Sequence, residues 1–303
     1  MKSKIAVLIP CYNESKTIGK VVNDFKSVLP EADVYVYDNN SSDHTDEIAR
    51  EAGAIVRYER RQGKGNVMRS MFRDIDADCY LMIDGDDQMP SDIAPEMCRM
   101  VIEDGVDMVI GNRLSTNYKE VNSRSFHNFG NVLVLKLVNK IFRAKIGDIM
   151  SGYRAMSRNF VKHFPVLSGG FEIETEMTIH ALDKNFYIQE VPFVFRNRPE
   201  GSESSMNTYV DGAKVLLTIA RLFRDYRPFL FFSIITLFLL LIAAVGFIPV
   251  MVDYVETGLV PRFPTLIVCG LLTLLAFMFF FCGITLEVLT KKHRQLFEIL
   301  MNK

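Results

Sequence analysis

Short apolar runs alternate with charged stretches through the first two thirds of the chain. The apolar runs predict strands over residues 5–9, 34–37, 54–58, 79–83 and 106–110, and the stretches between them predict helices over 15–28, 43–51, 66–75 and 91–104. This alternation is typical of an α/β fold with a doubly wound, mostly parallel sheet. Ligands of such sheets bind beyond the carboxyl ends of the strands, so the chemistry is expected in the segments that follow the strands.

The pattern changes near residue 228, where two long apolar runs replace the alternation. Residues 229–252 and 263–286 carry no charged side chain. A helix needs about 20 apolar residues to cross the hydrocarbon core of a bilayer, and both runs are that long. The alternative is a pair of buried core helices, which fits such long and uniformly apolar runs less well. We therefore predict two transmembrane helices.

Basic residues on both sides of these runs set the expected topology. They are Arg221, Arg224 and Arg227 before the first run, and Lys291, Lys292 and Arg294 after the second. The positive-inside rule places both flanks in the cytosol and the link 253–262 outside, as expected for a plasma-membrane protein with a cytoplasmic catalytic domain. Apolar residues recur at helical spacing before the first run, which predicts a helix that lies on the membrane surface or packs on the domain.

The predicted domains follow from these boundaries. They are a cytosolic catalytic domain over 1–206, an amphipathic membrane-interface helix over 207–228, two transmembrane helices within 229–290 and a cytosolic tail over 291–303.

Composition excludes several classes of protein. The net charge of -1 gives no general attraction to nucleic acid. The five cysteines form no CxxC pair, which disfavours a disulfide framework or a zinc site and fits a reducing compartment. Neither GxGxxG after the first strand nor GxxxxGK[ST] occurs in the chain, which disfavours dehydrogenases and P-loop enzymes.

Polar clusters follow four of the predicted strands, at residues 10–14, 38–43, 84–88 and 111–113. Loops are often polar, but four such clusters at one edge of a sheet indicate a site. The sharpest signal is the pair Asp84 and Asp86, directly after a buried strand. Acids this close repel one another, and a hard divalent cation such as Mg²⁺ or Mn²⁺ offsets that repulsion while bridging substrate phosphates. Gln88 adds a neutral oxygen ligand.

The motifs IPCYNE, DNNSSDHT, RQGKGN, DGDD and GNR, in this order and spacing, resemble those of a family-two glycosyltransferase with the GT-A fold. Further along, DIMSGYRAMSR, GGFEIETEM and RPEGSESSMNTY resemble the polyprenyl-phosphate glycosyltransferases, the dolichol-phosphate-mannose synthase group. The resemblance covers residues 4–225, and the two apolar runs match the membrane-anchored members of the group.

The resemblance implies roles for individual residues. Nucleotide binding falls to Pro10, Tyr12, Glu14, Asp38, Asn40, Lys64, Asp84 and Gly85; metal binding to Asp84, Asp86 and Gln88; the acceptor phosphate to Arg113, Arg124 and Asn128; and catalysis to Asp86, Arg113, Arg124 and Arg198. Arg198 belongs to a loop expected to close over the phosphates. Many relatives carry a lysine where Ser205 stands, so this chain departs from the family pattern at one cationic position of that loop.

The reaction implied is inverting transfer of one sugar from a nucleotide-sugar, with a uridine-diphosphate hexose or N-acetylhexosamine favoured, to a polyprenyl phosphate. A phosphate monoester with a second pKa of about 6 is mostly ionised at cytosolic pH, so no strong general base is needed. The acids Glu172, Glu174 and Glu176 invite a general-base role or, equally, a role at a helix N-terminus. The expected partners are the two substrates and membrane lipid, with room for a homo-oligomer.

Three other functions remain as alternatives. A processive polysaccharide synthase would carry a QxxRW-type motif and more spans, whereas this chain has no Trp. A second alternative is a nucleotide-sugar transferase with a protein or saccharide acceptor. A non-catalytic membrane scaffold with a degenerate transferase fold has no reason to keep Asp84 and Asp86.

Overall fold

The computed structural model describes residues 3–114, 125–170, 172–196, 220–221 and 223–301, and within 125–133 it describes only one side chain, that of Val132. The chain divides into two compact units, Met1–Val215 and Leu216–Lys303. The first unit carries all of the strands in the described residues, and the second carries the two long apolar helices.

One seven-stranded sheet forms the centre of the first unit. Its strands are β1 (Ile5–Cys11), β2 (Asp33–Asp38), β3 (Ile55–Tyr58), β4 (Cys79–Met82), β5 (Met108–Asn112), β6 (Arg154–Ser157) and β7 (Ile188–Pro192). Their order is β3-β2-β1-β4-β6-β5-β7. Strand β6 is antiparallel to both of its neighbours, and the other pairings are parallel. The expected doubly wound, mostly parallel sheet is therefore confirmed.

In its described residues, the first unit has helices α1 (Ile18–Val28), α2 (Thr45–Glu51), α3 (Lys64–Asp74), α4 (Ala94–Ile102), α5 (Ser125–Phe142), α6 (Arg158–His163) and α7 (Ile173–Asp183). The five strands and four helices predicted from the sequence all occur, with ends shifted by three residues at most. Helix α1 begins three residues late because the Glu14 carbonyl first accepts the N–H groups of Thr17 and Ile18 in a tight turn.

The core lies on both faces of the inner strands, as expected for parallel strands covered by helices. Residues 6–9 of β1 and residues 79–82 of β4 have no exposed surface. The Thr17 hydroxyl donates to the Gly85 carbonyl at 2.6 Å, which ties the turn before α1 to the segment after β4. The turn at the start of α1 thus holds the segment after β1 against the segment after β4.

A fully buried arginine joins β6 to its surroundings. Arg154 has no exposed surface, and its guanidinium donates to the carbonyls of Ile149 and Ser151 at 2.8 Å and to the Thr178 hydroxyl at 2.9 Å. Burial lowers the pKa of this guanidinium to about 10, although nearby Glu174 counteracts the effect, so the group stays charged at neutral pH. These bonds hold the turn before β6 and helix α7 in a fixed relation.

The second unit is a pair of long helices, α8 (Pro228–Thr257) and α9 (Phe263–Met301). Small and buried residues recur every seven positions on each helix, Thr236, Ala243 and Val250 on α8 and Cys269, Ala276 and Gly283 on α9. The Thr236 hydroxyl donates to the Ala276 carbonyl at 3.2 Å, and a Cβ at Gly283 would lie 2.9 Å from the Phe232 Cβ. Small residues let the two backbones approach closely, as is usual for helices in lipid.

Within the described residues, these two helices are long and apolar enough to cross a membrane. Only 11% of the most apolar window of α8 and 17% of that of α9 is buried, whereas a buried core helix would show the opposite. Helix α9 continues through Lys291 to Met301, so the described part of the predicted tail is helical. Of the predicted interface helix, residues 207–219 and 222 lie outside the described residues, and 220–221 and 223–226 are helical.

Candidate active site

The ends of β1 and β2 interlock. Cys11 and Asp38 are register partners, and the Asn13 side-chain oxygen accepts the Ser42 N–H at 2.9 Å while the Asn13 N–H donates to the Ser41 hydroxyl at 2.9 Å. The Glu14 N–H donates to the Thr45 hydroxyl at 2.9 Å. The first two polar clusters predicted from the sequence therefore form one continuous structure.

Asp38 carries an unsatisfied acceptor. Its Oδ2 accepts the Ser41 N–H at 3.1 Å, but its Oδ1 is buried and has no hydrogen-bond partner among the residues that the structure describes. A buried acceptor without a partner is costly, so such an atom marks a place where a ligand donor fits. Pro10 pairs in register with Tyr37, which directly precedes Asp38. The Tyr12 side chain is about half exposed. These are the positions expected to hold the nucleoside.

The Asn40 side chain makes hydrogen bonds within the protein. Its amide donates to the Arg60 carbonyl at 2.9 Å and to the Gln62 side chain at 3.1 Å. The neighbouring Asn39 accepts the Gly63 N–H at 2.7 Å. Both asparagines thus shape the segment that leads into the glycine turn at 63–65. Upstream in that segment, the Arg61 guanidinium lowers the pKa of Glu59 to about 2, so that carboxylate is ionised.

The carboxylates predicted to act together do converge. Burial raises the pKa of the Cys11 thiol well above its usual value, and the negative charges of Glu14, Asp38, Asp84 and Asp86 raise it further. A Cβ at Gly85 would lie 2.9 Å from the Cys11 sulfur, so only glycine lets the segment after β4 lie this close to the end of β1. Acids from three strand ends are therefore close enough to the Cys11 thiol to act on its pKa.

Asp84, Asp86 and Asp87 have different partners. Asp87 pairs with Lys20 at 2.6 Å, whereas Asp86 is buried and accepts the Gln88 N–H at 3.2 Å. Lys64 bonds to the Oδ1 of Asp84. The Gln88 side-chain amide donates to the Arg196 carbonyl at 3.2 Å. Asp87 is therefore set apart from the acid pair predicted to bind a metal.

The donor atoms of Asp84, Asp86 and Gln88 suit a hard divalent cation, since all three side chains offer oxygen. Among the described residues, no group of three or more His, Cys, Asp or Glu side chains could hold a metal. Mg²⁺ is commonly held by one or two carboxylates together with substrate phosphates and water. The acid pair fits that kind of incomplete site, which a diphosphate would complete.

Lys64 lies between two acids from different elements. Its ammonium bonds to Asp84 at the end of β4 and lies 2.6 Å from the Oε1 of Glu174 in the first turn of α7. Burial alone would lower the pKa of Lys64, but the charges of Asp84 and Glu174 outweigh burial and raise it above its usual range. Lys64 therefore stays protonated beside these acids at neutral pH.

Two glycines bring Lys64 to this position. A Cβ at Gly63 would lie 2.1 Å from the Gly169 carbonyl oxygen, and a Cβ at Gly65 would lie 2.1 Å from the Ser168 carbonyl oxygen. The loop they touch is held by Glu176, which accepts the N–H groups of Leu167 and Ser168 at 3.0 and 2.9 Å. Of the three acids considered for a general base, Glu176 therefore has a structural role and Glu174 reaches the site.

Arg113 follows β5 and is held by a buried acid. Its Nε donates to Asp148 at 2.9 Å, and its guanidinium lies 5.9 Å from the centre of the Phe195 ring. Asp148 is held in turn, since Glu190 accepts the N–H groups of Gly147 and Asp148 at 2.8 and 3.0 Å. Arg124, Arg198 and Ser205 lie outside the described residues, as does the side chain of Asn128.

Sequence reasoning missed Asp148, Glu190 and the pairing of Lys64 with Glu174. Asp148 stands at the start of the motif DIMSGYR, so its position carried a signal. Glu190 is one acid in a short edge strand, and no pattern in the sequence distinguishes it.

A model of the family described as glycosyl transferase family 2 matches residues 6–164, which is more than half of the chain. Two relatives come from Haloferax volcanii. Glycosyltransferase AglJ is 33% identical over 76% of this chain and 75% of that protein. Dolichyl-phosphate hexose transferase is 28% identical over 74% of this chain and 95% of that protein.

A solved structure has the same fold. Glucosyl-3-phosphoglycerate synthase from Mycobacterium tuberculosis, in complex with Mn²⁺, uridine diphosphate and phosphoglyceric acid, matches with a TM-score of 0.60 and 22% identity. The match covers 73% of this chain and 78% of the synthase chain. The GT-A fold expected from the sequence is confirmed.

Proposed function

Because the chain belongs to glycosyl transferase family 2, we propose that it moves one sugar from a nucleotide-sugar to a polyprenyl phosphate with inversion at the anomeric carbon. The observation that carries the proposal is that Asp84, Asp86 and the Asp38 carboxylate with its unsatisfied Oδ1 all act on the Cys11 thiol, in a chain with two exposed apolar helices. The name of the dolichyl-phosphate hexose transferase supports a lipid phosphate as acceptor. Uridine diphosphate is the favoured nucleotide.

The donor lies along the ends of β1, β2 and β4 in this proposal. Asp38 accepts a hydrogen bond from the nucleoside, with Pro10, Tyr12, Glu14 and the backbone at Gly85 around it. Asp84, Asp86 and Gln88 hold Mg²⁺ or Mn²⁺. The bound cation neutralises the charge that develops on the nucleoside diphosphate as it leaves.

The acceptor phosphate meets Arg113 in this proposal, with Arg124, Asn128 and Arg198 as further contacts. Asp148 fixes the Arg113 guanidinium, so the arginine is preorganised to hold the acceptor phosphate in line with the anionic donor. The phosphate oxygen is mostly ionised at neutral pH and attacks without a strong base. Glu174 is already engaged by the Lys64 ammonium at 2.6 Å, and the proposal assigns it no role as a base.

The decisive experiment supplies purified full-length protein in detergent with a short-chain polyprenyl phosphate, Mn²⁺ and a panel of nucleotide-sugars. We expect one donor to give a lipid-linked sugar that disappears with a chelator. Asp86→Ala should lower the rate by about 100-fold or more, because charge stabilisation of the leaving group is lost.

Asp87→Asn is the matched control, since it removes an acid from the same run whose partner is Lys20. We expect it to keep the rate within a few-fold of the unmodified protein. Metal-dependent binding of a nucleotide-sugar with no lipid product from any donor would exclude the lipid acceptor and favour a protein or saccharide acceptor.

A further inference from the structure

The acid pair already has a cation, and that cation belongs to the protein. Lys64 bonds to the Oδ1 of Asp84, one of the two carboxylates proposed to hold the metal. The side chain of Lys64 is 9% exposed and that of Glu174 is 6% exposed, so water screens their charges poorly. A metal that binds Asp84 must therefore compete with a buried ammonium.

Because Lys64 has a second partner, it can leave Asp84 without becoming an unpaired buried charge. Glu174 lies 2.6 Å from the Lys64 nitrogen and comes from the first turn of α7. If Lys64 gave up Asp84, it would keep one full ion pair inside the protein. Removing both partners would instead leave a buried charge uncompensated, which is strongly unfavourable.

The surrounding backbone is shaped around this three-group arrangement. A Cβ at Gly152 would lie 2.6 Å from the Asp84 Oδ2 and 3.1 Å from the Lys64 nitrogen, so a side chain at this position would displace these charged groups. The close contact of Gly63 and Gly65 with the loop before α7 fixes the spacing between Lys64 and Glu174. Lys64 thus has two anionic positions within reach and little freedom to go elsewhere.

We propose that Lys64 is an internal counter-cation of the acid pair and that Glu174 is the partner that retains Lys64 when a divalent cation takes Asp84. The inference rests on the metal site of the proposed function. Without metal, Lys64 keeps the clustered acids from repelling one another. With metal, the ammonium moves off Asp84 and remains paired with Glu174.

The test measures Mn²⁺ binding to the full-length protein in detergent without any nucleotide, from the electron paramagnetic resonance signal of free Mn²⁺. Lys64→Met should bind Mn²⁺ about tenfold more tightly than the unmodified protein, because the competing cation is gone. Glu174→Gln should bind it several-fold more weakly, because Lys64 then depends on Asp84 alone. Glu172→Gln removes the same charge from the same end of α7 and measures the effect that acts through space.

The double variant Lys64→Met/Glu174→Gln distinguishes two explanations. In one, Lys64 exchanges Asp84 for Glu174 when metal binds; in the other, the two side chains change Mn²⁺ affinity independently through their charges. In the exchange, Glu174 acts through Lys64, so the double variant should bind Mn²⁺ within about twofold of Lys64→Met. A return to the affinity of the unmodified protein would mean that the two effects are additive, and it would overturn the proposal. Equal affinity of Lys64→Met and the unmodified protein would also overturn it.

Two further measurements keep these outcomes interpretable. Circular dichroism with thermal melting checks folding, and in the double variant the buried Glu174 carboxylate no longer faces a missing lysine. Asp86→Ala should abolish Mn²⁺ binding in both the unmodified and the Lys64→Met backgrounds. Unchanged binding in Asp86→Ala would refute the metal site and the exchange together, whereas additive effects with Asp86 essential would refute the exchange alone.

Discussion

The Arg113–Asp148 pair illustrates how much one buried charge depends on another. The Asp148 side chain is 1% exposed, and its two oxygens accept the Arg113 Nε at 2.9 Å and the Met150 N–H at 3.1 Å. Removing one partner of a buried pair leaves the other charge without compensation, which costs more than the pair contributes relative to neutral groups. Asp148 is therefore expected to affect both stability and the position of Arg113.

We expect Asp148→Asn to lower the free energy of unfolding by about 3 kcal/mol, measured by chemical denaturation in detergent. It should also raise the KM for the acceptor by more than the KM for the donor, because Arg113 loses its fixed orientation. The control is Asp104→Asn, which breaks the exposed pair with Arg99 and should cost less than about 1 kcal/mol. Equal changes in the two KM values would argue against a role for Asp148 at the acceptor.

At the residue scale, the sequence predicted which groups gather but not how they pair. The position of Asp84 and Asp86 after a buried strand was enough to place them at the edge of the sheet. The partner of each acid was not predictable, because Lys20 and Lys64 come from distant segments whose approach depends on the start of α1 and on the glycine turn. Lys64 was expected near the nucleotide, and its contact with Asp84 appeared only in the structure.

At the element scale, periodicity predicted the strands and helices of the first half because each is an unbroken apolar run or an amphipathic stretch. Strand β6 escaped prediction because it is four residues long and its first residue is an arginine. A charged residue in a strand normally indicates a solvent-exposed side chain. Arg154 is instead buried, and its guanidinium donates to backbone carbonyls. The contact between the glycine turn and the loop before α7 was equally invisible, since both segments read as loops.

That contact makes a prediction about Gly65→Ala. The new Cβ would lie 2.1 Å from the Ser168 carbonyl oxygen, so backbone must move, and we expect a loss of about 3 kcal/mol in the free energy of unfolding. Sugar transfer should fall as well, because the loop leads into α7 and Glu174. Chemical denaturation and the lipid-product assay measure the two effects.

Gly169→Ala is the matched control for Gly65→Ala, since it adds a methyl group on the other side of the same contact. Its Cβ would lie 3.6 Å from the nearest atom of Asn66, an ordinary packing distance. We expect a change within about 1 kcal/mol. Equal losses in the two variants would show that the tight backbone contact is not what the glycines provide.

At the scale of the whole molecule, composition distinguishes the two units because helices that face lipid need long apolar runs and an α/β unit does not. The topology predicted from the basic flanks remains to be measured. With native cysteines replaced, Leu259→Cys lies in the exposed link between α8 and α9, and Glu298→Cys lies near the end of α9. We expect a membrane-impermeant maleimide to label Leu259→Cys in intact cells and Glu298→Cys only after lysis. The reverse pattern would place the catalytic unit outside the cytosol.

The insertion of β6 between β4 and β5 also has a consequence for synthesis on the ribosome. Strand β5 ends at Asn112, yet both strands that pair with it, β6 and β7, lie later in the chain. At about 5–20 residues per second, the first partner emerges some seconds after β5. During that interval the β1–β4 half can already form its sheet, whereas the apolar residues of β5 have no neighbouring strand to bond. A nascent chain stalled between Asn112 and Arg154 would therefore be the form most in need of a chaperone.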